Sequence, residues 1–152
     1  MREFIILFLI LLIISCGQSD STRELNDPVP IIPIMENIEQ VDLDNEKIKN
    51  YSFLNCMYSD DYYPNFLVDE CKQVLLQFCM NIEHDDPESL NELYALSRTA
   101  TIRINMLQNK FFENGSEIET VARECLAINF ENITLAYGFN ATIEKLIEVR
   151  EW

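Results

Sequence analysis

Behind Pro64, apolar residues recur at Leu67, Cys71, Val74, Leu75, Phe78, Cys79 and Ile82. Steps of three and four put all seven on one side of an α-helix, which turns once in 3.6 residues. A second stripe runs through Leu90, Leu93, Tyr94, Ser97, Ala100, Ile104, Leu107 and Phe111, where the β-branched Thr99, Thr101 and Ile102 argue for either one long helix or two short ones. Between the stripes, Asp86-Pro87-Glu88 reads as an N-cap, a proline at the first helical position and an acid in the first turn. Gly115 is placed to end the second helix, and Ser116 with Glu119 reads as a capping box opening a third, whose inner face is Ile118, Val121, Ala122, Cys125, Leu126 and Asn129. An earlier helix is expected from about Asn45 to Tyr58, with Ile48, Tyr51 and Asn55 on one face and Phe53 and Cys56 beside it. A last one is expected from Asn140, burying Ile143, Leu146 and Ile147. Three glycines in 152 residues are too few for the turns of a sandwich or barrel. The expected fold is all-α, a single small bundle of four to six helices over residues 45–152.

The other end of the chain has a different logic. After Met1-Arg2-Glu3, residues Phe4 to Ile14 contain no polar side chain. As a helix they reach only ~16 Å, against a hydrocarbon thickness of about 30 Å, so a signal peptide fits better than a membrane span. Ile13-Ile14-Ser15-Cys16-Gly17 resembles the bacterial lipobox. The resemblance implies cleavage after residue 15 and a lipid on the Cys16 thiol, leaving the chain anchored to a membrane with its domain outside the cytoplasm. No acid directly follows Cys16, which resembles sorting to the outer membrane in a Gram-negative periplasm. Ordinary secretion with a free Cys16 is the alternative.

Residues 16–44 read as a tether, extended at Pro28, Pro30 and Pro33 because proline fixes φ and restricts the residue before it. Val29, Ile31, Ile32 and Ile34 allow a second reading, an arm laid along the domain. The formal charge of −15 falls entirely after residue 15, since the leader carries one Arg and one Glu. Such acidity disfavours nucleic acid and anionic lipid as partners and favours a basic protein, though it also serves solubility alone.

Besides Cys16 the chain has Cys56, Cys71, Cys79 and Cys125, an even set suited to disulfides outside the cytoplasm. Two turns of one helix separate Cys71 from Cys79 by about 12 Å, beyond disulfide reach. That leaves either a single Cys56–Cys125 bridge or two bridges, each joining one core-helix cysteine to Cys56 or Cys125. A zinc site is not expected, for there is no CxxC element and His84 is the one imidazole.

A catalytic nucleophile pair would have to use His84. It sits in Glu83-His84-Asp85-Asp86, far from any nucleophile elbow, phosphate-binding glycine loop or metalloprotease helix, so a solvated loop is expected there. The paired acids Asp60-Asp61 and Asp85-Asp86 read as caps or solvated charge. No enzymatic activity and no cofactor are expected. The N-x-S/T triplets at Asn114, Asn132 and Asn140 are glycosylation acceptors only in a eukaryotic pathway, which the lipobox disfavours.

Tyr51-Ser52-Phe53-Leu54-Asn55-Cys56-Met57 and Arg123-Glu124-Cys125-Leu126-Ala127-Ile128 together resemble the periplasmic immunity proteins that protect bacteria from type VI secretion amidases. In those proteins an aromatic precedes a first cysteine, and a Cys-Leu pair lies in a late helix. The resemblance spans about Lys47 to Tyr137. It departs from the family in Asn129-Phe130-Glu131-Asn132-Ile133-Thr134-Leu135, in the additional Cys71 and Cys79, and in the lipid anchor. It implies a protein that binds and blocks a basic cell-wall amidase, and a homodimer. Helix-end loops supply the expected contact residues: His84, Asp85 and Asp86 in one, Glu113, Asn114 and Ser116 in the other. The alternatives are a structural or adaptor lipoprotein of the cell envelope without inhibitory role, and a small enzyme with an unfamiliar site.

Overall fold

The computed structural model describes residues 37–152. The leader, Cys16 and the proline-containing stretch lie outside these residues. The described chain is all-α, without a β-strand. In order it forms a short 3-10 turn at Gln40–Asp42 and helices α1 (Glu46–Lys49), α2 (Asn55–Tyr58), α3 (Asn65–Asp85), α4 (Leu90–Glu113), α5 (Thr120–Ala136) and α6 (Ile143–Leu146). None of these helices is long and apolar enough to cross a membrane.

The two predicted stripes become the central hairpin. In α3, Leu67, Val68, Cys71, Val74, Leu75, Phe78, Cys79 and Ile82 are all buried. α4 is one unbroken helix that buries Leu93, Ser97, Ala100, Thr101, Ile104, Leu107 and Phe111. Its threonines do not interrupt it; their hydroxyls bond back onto the preceding turn, Thr99 Oγ1 donating to Ala95 O at 3.4 Å and Thr101 Oγ1 to Ser97 O at 2.9 Å. Late α4 lies beside early α3, as the 2.6 Å contact of Lys110 Nζ with Glu70 Oε2 requires, so the hairpin is antiparallel. α5 closes the core from the third side with Ala122, Cys125, Leu126, Phe130 and Ile133, and the Phe130 ring meets Phe78 of α3 at a centroid distance of 5.5 Å. Each fully buried ring contributes about 1.5–3 kcal/mol of transfer free energy.

Several element boundaries differ from the sequence reading. The single helix expected from Asn45 to Tyr58 is two one-turn pieces, because buried Leu54 sits in the left-handed region at φ 52°, which no α-helix passes through. Asn45 does cap α1, accepting the Lys47 N–H at 2.9 Å. Asp86 is no N-cap; it ends α3 at φ 46° with its N–H on Ile82 O, and the cap of α4 is Ser89, whose Oγ accepts the Glu92 N–H. Glu92 in turn receives the Glu88 N–H at 2.8 Å, so the acid three residues after the cap does reach back. Gly115 follows α4 at φ 75°, as expected of a glycine there. The capping box at Ser116 does not form: α5 starts four residues later, at Thr120, and Ser116 is buried instead. The last helix begins at Ile143 rather than Asn140.

The folded unit also reaches back beyond residue 45. Ile38 and Leu43 are buried in the same core, so residues 38–44 are part of the domain and not of a tether. Two polar clamps hold this segment. The Gln73 side chain accepts the Ile38 N–H at 3.0 Å and donates to its carbonyl at 3.3 Å. The Glu83 carboxylate receives the N–H groups of Asp44 and Asn45 at 2.9 and 3.0 Å, and the Tyr137 hydroxyl at 2.6 Å.

A candidate partner groove between α3 and α4

Where the early part of α3 meets the late part of α4, the hairpin leaves an open groove of about 630 Å³. Spacings of three and four build its walls. Asp69, Glu70, Gln73 and Val74 come from α3, and Arg103, Met106, Leu107 and Lys110 from α4. Val74 and Leu107 are buried and form an apolar floor, while Met106 stands 72 % exposed, an unbranched and adaptable side chain open to solvent.

The polar groups around it are already paired in part. Lys110 bonds Glu70, and the Tyr58 hydroxyl donates to Asp69 Oδ1 at 2.6 Å; burial and that carboxylate push the phenol above its ordinary range. Arg103 makes no ion pair among the described residues, and partial burial lowers its pKa from the usual value. With acids on one wall and bases on the other, the groove suits a partner segment that brings both an apolar anchor and charge, as interface cores ringed by polar rims do.

A covalent link joins two of the other elements. Cys56 of α2 and Cys125 of α5 form a disulfide across 69 residues, with Cα atoms 6.1 Å apart. This is the single-bridge alternative. The two-bridge alternative is overturned: Cys71 and Cys79 are free thiols, buried on the inner face of α3, and neither reaches another cysteine. Burial pushes the Cys71 thiol up to about 12 and raises Cys79 as well, so both stay protonated and are poor nucleophiles. Tyr137 lies against both Cys79 and Glu83, and burial followed by its bond to Glu83 raises its hydroxyl too. Cys79 and Tyr137 thus hold their protons inside the packing, beside the Glu83 side chain that accepts from Tyr137.

The loop residues singled out from the sequence are not brought together. His84, Asp85 and Asp86 are exposed at the end of α3, where His84 Nδ1 meets Asp85 Oδ1 at 2.7 Å. Glu113 and Asn114 are exposed at the far end of α4, a helix of 24 residues and therefore roughly 36 Å long. The two loops are separate surfaces. Ser116, expected as a contact residue, is buried and offers no surface to a partner. Asn114 adjoins the groove, its side-chain amide donating to the Lys110 carbonyl at 2.8 Å.

The groove residues themselves escaped sequence reading because they lie on the outer side of helices identified by their inner side. The available signal was the acidic pair Asp69 and Glu70 on α3 opposite the basic Arg103 and Lys110 on α4. Among the described residues no group of three or more His, Cys, Asp or Glu side chains is placed to hold a metal ion.

Residues 47–152 match the model of a protein family described as Family of unknown function (DUF5713). No curated protein and no solved structure matches the chain.

Proposed function

We propose, taking as premise that the chain belongs to the DUF5713 family of unknown function, that it is an exported binding protein whose α3–α4 groove receives a basic protein partner. The observation that carries this reading is the groove itself, an apolar floor with a prominent exposed Met106 on an otherwise strongly acidic domain. A net charge of −15 accelerates encounter with a basic partner, and a buried apolar contact then holds it. The Cys56–Cys125 disulfide supports a site outside the reducing cytoplasm. The lipobox-like Ile13-Ile14-Ser15-Cys16 supports anchoring to the envelope through a lipid on Cys16.

The partner class comes from the resemblance of the Cys56 and Cys125 segments to type VI amidase immunity proteins. On this reading the protein protects its cell by occupying the cleft of a delivered cell-wall amidase, and takes no part in chemistry itself. The test is inhibition of a secreted peptidoglycan amidase encoded beside this chain. Stoichiometric protein should abolish cleavage, and Met106→Asp should weaken inhibition by ~10-fold or more. Unchanged turnover at excess protein overturns the immunity reading. Labelled palmitate that fails to enter the chain, or enters a Cys16→Ala variant equally, overturns the anchor.

A further inference from the structure

A second recess, independent of the groove, lies where the chain after α6 returns to the start of α5. It encloses about 280 Å³, and Thr120, Arg123 and Glu124 line it from α5 while Ile147, Arg150 and Trp152 line it from the other side. Its basic side chains, Arg123 and Arg150, outnumber its one lining acid, Glu124. Trp152 is only 7 % exposed, yet its indole N–H has no acceptor. A buried indole N–H ordinarily finds one.

The two arginines are equally unspent. In a chain with 26 acidic residues, neither Arg123 nor Arg150 forms an ion pair among the described residues. Arg123 donates to Thr120 Oγ1 at 3.0 Å, and Arg150 to the Ile147 carbonyl at 3.3 Å. Each leaves most of its five N–H donors unused. Thr120 at the start of α5 also lines the recess, and the N-cap Glu119 makes no side-chain cap hydrogen bond there. Among the lining side chains the opposing charge is the exposed Glu124 carboxylate.

Arg123, Arg150 and Trp152 with its unpartnered indole N–H line one small recess at the start of α5. We infer that this recess is a binding site for a single oxyanion, a carboxylate or phosphate group, held between Arg123 and Arg150 with the Trp152 N–H as the third donor. Paired arginine forks suit the planar or trigonal oxygen arrays of such groups, and charge-assisted bonds are the strongest a surface site makes.

Trp152 is the only tryptophan in the chain, so one indole N–H resonance reports the site directly. The full chain with its disulfide intact is titrated separately with inorganic phosphate and with acetate, at constant ionic strength made up with chloride. The expected result is a saturable downfield shift of the indole resonance with at least one of the two, absent with chloride. Saturation by phosphate alone assigns a phosphate site, and by acetate alone a carboxylate site. Arg123→Gln and Arg150→Gln lie at the exposed surface and should leave the helical circular dichroism unchanged while weakening binding by ~10-fold or more each. No saturable shift with either anion, or an undiminished shift in the double variant, overturns the inference.

Discussion

Asn129 ties the one strained residue of the core to the disulfide. Its Oδ1 accepts the Leu54 N–H at 3.2 Å, while its Nδ2 donates to the Cys125 carbonyl at 2.7 Å. Leu54 is fully buried in the left-handed region, two positions before Cys56, so α2 is positioned by a polar bracket and a covalent bond together. A leucine holds such a conformation only where its surroundings over-determine it.

Asn129→Ala should therefore cost more than one ordinary hydrogen bond. It leaves the buried Leu54 N–H without an acceptor, and the loss should be roughly 2–3 kcal/mol. A urea titration reads this as a lowered midpoint at unchanged slope. A loss below ~0.5 kcal/mol would show that the bracket contributes nothing.

The cysteines behind residue 37 should divide cleanly. Without reductant, alkylation of the native protein should leave Cys71 and Cys79 unmodified, and unfolding should expose both, while Cys56 and Cys125 remain linked throughout. Opening the Cys56–Cys125 loop with a paired Ser substitution should lower stability by about 4 kcal/mol in the loop-entropy model. Mass analysis after digestion checks the first expectation and denaturation the second. A Cys71 or Cys79 found in a mixed bridge contradicts the pairing.

Alkali should destabilise the domain. Cys71 rises from 9.0 to about 12 in the folded state and Cys79 also rises, while Tyr58, Tyr63 and Tyr137 all rise from 10.0. The unfolded chain releases these protons first. Their contribution is fully present below the unfolded thiol value and is lost as pH climbs from roughly 9 toward the folded values, with the tyrosines joining from roughly 10. Unfolding free energy measured between about pH 8 and 11 should fall ever more steeply. A flat profile would mean that these groups are as free in the native protein as in the unfolded chain.

Gly115→Ala isolates a backbone effect. A Cβ at this position would meet nothing within 4 Å, so sterics with neighbours are not at issue, and only the φ of 75° is. Placing alanine there should cost about 1–2 kcal/mol. A thermal melt resolves such a shift.

The sequence made the hairpin legible because burial on α3 and α4 is one-sided and long, and a stripe of four or five turns is hard to produce otherwise. Short elements were not legible. Four-residue helices such as α1 and α2 carry too little periodicity to reveal a break, and nothing in Phe53-Leu54-Asn55 announces a left-handed leucine. Asp86 misled because an acid before a proline suits a helix start, whereas tertiary packing placed it past a helix end. Residues 38–44 were hidden for another reason. Their clamps are Gln73 and Glu83, polar residues some 35 to 39 positions away, and pairings of that kind leave no local trace. The groove and the Trp152 recess are likewise assembled from segments distant in sequence.

The 69-residue reach of the disulfide fixes an order of events during biogenesis. Cys56 emerges first and has no native partner until Cys125 follows, after the whole of α3 and α4. Cys71 and Cys79 emerge in between and are the nearer rivals. The folded domain buries both of these thiols, so oxidation after folding is left with Cys56 and Cys125, whereas oxidation before folding meets Cys71 and Cys79 as competitors.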